Sequence, residues 1–171
     1  MLISGPSSSG KTTSAKRLGI QLGVLGLKPV LISLDDYFVD REKTPKDADG
    51  EYDYEALEAI DLELFNDHLR RLMRGESVDI PRYNFITGRR MQHNDPLTLD
   101  ERSILIVEGI HGLNPRLTPG VPEEQKFRIY ISCFMPSFSY FVSVFPALNF
   151  SFCSFFFAVS LYFSKYTFIC L

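Results

Sequence analysis

A chain of 171 residues is long enough for one ordinary domain with a real core. Its formal charge of -3 at pH 7 gives no electrostatic footprint for nucleic acid, which is excluded as an expected partner, or for an anionic membrane. The 45% hydrophobic content is ordinary only on average, because Lys165 is the single charged residue after Arg128. Cys133, Cys153 and Cys170 all fall in that late stretch, an odd number whose spacing matches no zinc or redox motif. The earlier part has no cysteine and no signal-peptide pattern, so it is expected in the cytoplasm.

In chain order, residues 1–4 are a short apolar strand, followed by a Gly/Ser-rich loop. Residues 12–25 predict a helix with Ala15, Leu18, Leu22 and Leu25 on one face and Gly26 as its stop. Residues 29–34 are a continuous apolar run, the form taken by a buried parallel strand. Residues 36–53 are polar, turn-rich and expected on the surface. Asp61 should cap a helix that places Leu62, Phe65, Leu69 and Leu72 on one face and ends at Gly75. Residues 78–81 open a predicted hairpin that turns near Thr87 and Gly88 and returns through residues 89–92. Residues 104–107 and 127–132 are two more strands. Strands alternating with helices, with no internal repeat, predict an α/β fold of three layers around a parallel sheet.

The first loop, Gly5-Pro6-Ser7-Ser8-Ser9-Gly10-Lys11-Thr12, fits the pattern G-x-x-x-x-G-K-[ST]. Gly5 and Gly10 permit close backbone approach, so that successive N–H groups and the following helix N-terminus can surround a phosphate. Lys11 would reach the β- and γ-phosphates, and the Thr12 hydroxyl would ligate Mg²⁺, with Thr13 beside it. A Ser/Gly-rich turn with an accidental lysine is the competing reading. The strand before the loop and the amphipathic helix after it favour an ATP site.

Ligands of open α/β sheets collect at the carboxyl ends of the strands. Asp35 and Asp36 end the second strand there, and Glu108 ends a later one. Asp35 is assigned as general base beside the metal and Glu108 as metal ligand; a turn-capping role and a satisfied strand-end carboxylate are the respective alternatives. His111 is expected to shape a turn. Residues 80–85 hold Tyr83, Phe85, an amide and an arginine, a set suited to a flat polar ring with ribose attached. Read alone, they better describe a hairpin in which Tyr83 and Phe85 simply cover the core. Arg89 and Arg90 are expected on a solvated face.

Together these motifs resemble the uridine kinase/phosphoribulokinase group of P-loop kinases, closest to bacterial uridine kinase-type nucleoside kinases. The resemblance rests on the Gly5–Thr12 loop, on Ser33-Leu34-Asp35-Asp36-Tyr37-Phe38, on Pro81-Arg82-Tyr83-Asn84-Phe85 and on Val107-Glu108-Gly109-Ile110. It covers residues 2–132 and implies a P-loop NTPase fold, incomplete at the C-terminus, that transfers the ATP γ-phosphoryl group to a nucleoside 5′-hydroxyl. It implies Asp35 as base near Mg²⁺, Tyr83 in the nucleoside pocket and Glu108 in the magnesium site. With Asp35, the side chains of Tyr37, Phe38, Tyr83 and Phe85 are expected to line the acceptor side. Gly88 stands where animal relatives carry a base-contacting histidine, and Asn84 replaces a common aspartate, so pyrimidine selectivity does not carry over. Other small hydroxyl compounds, a phosphorylated sugar or pantothenate, are alternative acceptors.

The resemblance also implies an arginine-bearing lid after Ser132, and none follows: residues 133–171 are rich in Phe and Ser. The domain reading is therefore a partial kinase core, 1–132, and a tail, 133–171. The tail has three readings: a spurious or frameshifted end, a membrane segment, or a β-prone segment buried in a partner or oligomer. The first strand is short beside relatives with an upstream domain, and the chain is read as a fragment of a larger kinase. Without the lid, weak ATP binding and poor turnover are expected, or a non-catalytic ATP-binding fragment whose tail associates with membranes.

Overall fold

The computed structural model describes residues 1–91 and 96–132, with two further strands at Ala158–Ser160 and Thr167–Cys170. The return of the hairpin at Gln92 and most of the tail lie outside the described residues. Strand β1 (Leu2–Ser4) is followed by helix α1 (Lys11–Val24), strand β2 (Lys28–Ser33) and helix α2 (Leu62–Met73). Four short strands come next: β3 (Val78–Asp79), β4 (Arg82–Asn84), β5 (Arg89–Met91) and β6 (Pro96–Leu97). Strands β7 (Ser103–Glu108) and β8 (Arg128–Ser132) complete the continuous part, and the two late strands are β9 and β10.

The main sheet has the order β2-β7-β1-β8-β10-β9. β1 runs parallel to β7 and β8, β2 runs parallel to β7 from Lys28↔Ser103 to Ser33↔Glu108, and only β9 is antiparallel. Alternate residues of each strand face opposite layers, as a pleat requires. Ile3, Ile106, Ile129 and Ile131 pack with Ala15, Leu18 and Leu22 of α1. Leu2, Ile32 and Val107 face the other way, onto Phe65, Leu69 and Leu72 of α2. This is the expected three-layer α/β fold.

Both helices stop where the sequence indicates. Gly26 (φ 78°) and Gly75 (φ 75°) take the left-handed conformation at the helix ends, each followed by a residue whose N–H reaches back five positions, Leu27 to Leu22 and Glu76 to Arg71. Asp61 caps α2 by accepting the Leu64 N–H at 3.0 Å.

Two expectations are corrected. Asp35 and Asp36 do not extend the second strand, which ends at Ser33. They sit in a 3-10 turn, Leu34–Tyr37, drawn inward by the buried Leu34 and Tyr37. The hairpin does not begin at residue 78, because β3 pairs with β6, while β4 and β5 form the hairpin proper. The Asn84 carboxamide oxygen accepts from the Ile86 and Thr87 N–H groups and shapes the hairpin turn.

Candidate active site

β1, β2 and β7 are neighbours that end together, at Ser4, Ser33 and Glu108, so the segments after them meet at one edge of the sheet. The fit is tight. A Cβ on Gly5 would lie 2.0 Å from the Ile131 carbonyl oxygen, and one on Gly112 would lie 2.3 Å from that of Ile3. The Ser4 hydroxyl donates to the Ile110 carbonyl at 2.6 Å, tying the loop after β7 to the end of β1.

The phosphate loop spans β1 and α1. Gly10, at φ 84°, is the residue before α1, and Ser8 is also left-handed (φ 59°), a conformation that costs a non-glycine residue about 1–2 kcal/mol. The first N–H groups of α1 have no helical acceptor and are available to an anion. Lys11 Nζ folds back onto the Pro6 carbonyl at 2.8 Å. Pro6, Ser7, Ser8, Thr12 and Thr13 are exposed, while Ser9 is buried beneath the loop. Thr12 Oγ1 donates to Glu108 Oε1 at 3.0 Å, and Ser33 Oγ donates to the same oxygen at 2.9 Å. The residues expected to share a metal, Thr12 and Glu108, are thus already in contact. Ser33 completes their arrangement; its one sequence signal was its place at the strand end.

The paired aspartates divide. Asp36 is taken up by the hairpin, accepting from the Tyr83 N–H at 3.4 Å and facing Arg82 Nη1 at 3.3 Å. Asp35 keeps an exposed face and makes no hydrogen bond among the described residues. Desolvation by the protein around it, and then the charge of Glu108, raise its carboxyl above the ordinary aspartate value, against the pull of Lys11.

Tyr37 does not reach the site. It is wholly buried, its hydroxyl 3.1 Å from His68 Nδ1 and its ring edge-on to Phe65, with centroids 5.1 Å apart. Burial pushes the Tyr37 phenol well up and the His68 imidazole down. Its place in the core corrects the expectation that it faces an acceptor: it anchors the turn that carries Asp35. Phe38, Tyr54, Tyr83 and Phe85 form a cluster of edge-on rings, in which Phe38 and Tyr83 are buried and Phe85 is 57% exposed. Arg90, expected on a solvated face, instead donates twice to Asp61 Oδ2 at 3.0 Å and twice to the Phe38 carbonyl. His111 lies in the turn after β7, its backbone carbonyl accepting from the Asn114 N–H.

Two cavities, of about 880 and 360 Å³, lie away from this edge, one along α2 and one at the opposite ends of the strands. The phosphate loop lines neither. The residues present fit ATP and Mg²⁺. Gly5 and Gly10 leave backbone space that side chains would fill, and one hydroxyl and one carboxylate suit a hard cation that keeps waters and phosphate oxygens as its other ligands. In keeping with that, no cluster of three or more His, Cys, Asp or Glu side chains among the described residues could hold a metal unaided.

A strand, a glycine-bounded loop with its lysine, a helix starting on a threonine and a strand-end glutamate touching that threonine define a P-loop kinase. The chain belongs to the phosphoribulokinase/uridine kinase family, whose sequence profile matches residues 1–134. The uridine kinase of Schizosaccharomyces pombe is 36% identical over 113 residues, 65% of this chain and 24% of that protein. The uridine kinase of Aliivibrio fischeri is 34% identical over 118 residues, covering 67% and 54%. The chain spans about half the length of most such relatives. A solved structure described as a possible uridine kinase, from Bacillus stearothermophilus, shares the fold at a TM-score of 0.60 and 24% identity, over 82% of this chain and 72% of that one.

Proposed function

We propose that the protein transfers the γ-phosphoryl group of ATP to the 5′-hydroxyl of a uridine- or cytidine-like nucleoside. The observation that carries this reading is the division between the paired aspartates. Asp36 holds the aromatic hairpin, where a base and ribose would sit, and leaves Asp35 beside the phosphate loop. Asp35 accepts the proton of the attacking hydroxyl as the new O–P bond forms and the bond to the ADP oxygen breaks. Burial and the charge of Glu108 raise its proton affinity above that of an ordinary aspartate, which strengthens it as a base. Lys11 leaves the Pro6 carbonyl and moves onto the phosphates, while the N–H groups at the start of α1 hold the β-phosphate. Thr12 and Glu108 would hold magnesium, with Asp35 as the nearby second carboxylate; when bound, the ion neutralises charge on the phosphate oxygens. Phe38, Tyr83 and Phe85 provide the apolar wall against which the base rests.

Turnover is proposed to be slow, since residues 129–171, where the resemblance places the lid, hold no arginine to clamp the transferring group. The proposed setting is the cytoplasm. Among the described residues no helix is long and apolar enough to cross a membrane. ATP consumption measured against nucleosides, phosphorylated sugars and pantothenate tests the acceptor, with ³¹P NMR locating the phosphate on the 5′ oxygen. No turnover with any nucleoside would refute this reading, and turnover with another panel member would transfer the site to that acceptor.

A further inference from the structure

Arg41 lies in the polar loop that follows Phe38, and nothing in its sequence surroundings marks it. In the fold it joins three segments. Its backbone N–H donates to the Gly88 carbonyl at 2.8 Å, its Nε to the Tyr54 hydroxyl at 3.0 Å, and its Nη2 to the Phe85 carbonyl at 2.7 Å. Gly88 is left-handed (φ 67°), and a Cβ there would lie 2.7 Å from Arg41 Nε and 2.8 Å from Cζ. The guanidinium therefore lies directly against the backbone of the hairpin tip, and the glycine is required both for its own conformation and for this approach.

The side chain is partly exposed, and the carboxylates near it are engaged with other arginines: Glu42 faces Arg89 at 3.8 Å, and Asp40 accepts the Arg90 N–H at 3.1 Å. Two of the five guanidinium N–H bonds are used, and the other three have no partner among the described residues. The result is a fixed, donor-only fork between the Tyr54 hydroxyl and the Phe85 carbonyl, two residues whose rings belong to the cluster with Phe38 and Tyr83. A planar fork of this kind pairs with two acceptors held in one plane. A heterocycle seated against these rings offers them as a carbonyl oxygen, alone or beside an unprotonated ring nitrogen.

We infer that Arg41 is a specificity-determining residue of the acceptor site, selecting nucleosides whose base carries a carbonyl edge. The inference rests on the nucleoside kinase reading and names the part of the substrate that this site reads.

Kinetics of Arg41→Ala, Arg41→Lys and Gly88→Ala with uridine, cytidine and D-ribose, which lacks the base, test it, with thermal unfolding recorded for each protein. Arg41→Ala should raise KM for uridine and cytidine by about tenfold or more, the loss expected for a hydrogen bond to a charged group. The kcat, the KM for ATP and the KM for ribose should stay within about twofold under the same criterion. Arg41→Lys should not restore the wild-type KM, since an ammonium lacks the fork. Gly88→Ala, which pushes the guanidinium aside while leaving the arginine in place, should move KM in the same direction.

Equal shifts for ribose and the nucleosides would overturn the inference. A lower kcat at unchanged KM, or full rescue by lysine, would do the same. Normal nucleoside turnover by the wild type alongside an unchanged KM in Arg41→Ala would overturn this inference alone. Absence of nucleoside turnover in the wild type would overturn the underlying reading, and this inference with it.

Discussion

At Asp35 the packing that raises the proton affinity of the carboxyl also sets its negative charge against that of Glu108. A group whose folded-state pKa is raised favours the fold when protonated and loses that contribution as pH rises through the folded pKa. Asp35→Asn should therefore unfold at a higher temperature than the wild type at pH 7. That advantage should close as pH falls towards the ordinary aspartate value of 3.8. The same variant should lose kcat by about 10²–10⁴, the usual worth of a general base. Scanning calorimetry across pH, paired with the kinase assay, would separate the two effects; a less stable Asp35→Asn would contradict the electrostatic account. His68 has the opposite sign. Its folded pKa is lowered, so its contribution is present above its ordinary 6.5 and fades as pH drops below that value. Replacing His68 with glutamine should flatten the acid limb of the stability profile near pH 6.5, which urea titrations at several pH values would read. Asp35 and Glu108 stand out in the sequence because both close apolar runs. His68 does not, since its partner Tyr37 is 31 positions away and only packing pairs them.

The hairpin and α2 share a fastening in Asp61. One carboxylate oxygen caps the helix and the other takes the Arg90 guanidinium. Asp61→Ala should lose the cap, at a cost of about 1 kcal/mol, together with the ion pair. Asp61→Asn should keep most of the cap and lose the charge. Because Asp61 and Arg90 touch, a double-mutant cycle with Arg90→Ala should show coupling of about 0.5–3 kcal/mol in chemical denaturation. Coupling near zero would mean that the Arg90 guanidinium acts through the Phe38 carbonyl rather than through Asp61. The cap at Asp61 and the stops at Gly26 and Gly75 are legible because they are local signals within a few residues of the helix they bound. Arg90 is not, because a basic residue on a short hairpin normally faces water. Its partner is 29 residues earlier, and only the fold brings the two together. β3 escaped for a similar reason: two residues carry no period, and their pairing with Pro96–Leu97 is set by the chain's return from the hairpin.

Across the whole molecule, the parallel sheet gathers the site by ending three strands level, and the glycines behind that edge allow the loops to close. Gly112→Ala places a methyl 2.3 Å from the Ile3 carbonyl, a backbone atom that cannot rotate away. It should destabilise the fold by about 1–3 kcal/mol, an overpacking cost, although it touches no residue assigned to chemistry. A denaturation midpoint equal to wild type would show that the loop after β7 yields more easily than its contacts suggest. The order of the sheet was less legible than its parallel character, since apolar runs reveal burial but not neighbours.

The bond between Lys11 and the Pro6 carbonyl ties the lysine to its own loop. An anion that recruits the lysine must displace a hydrogen bond to a charged group, typically worth about 1.5–3 kcal/mol. A short anion that meets only the loop N–H groups leaves the lysine where it is and forgoes its attraction. A polyphosphate long enough to extend past the loop can draw the lysine out, and gains both. This lysine contact thus works as a length filter: orthophosphate and nucleoside monophosphates should be poor competitors of ATP, and tripolyphosphate a good one.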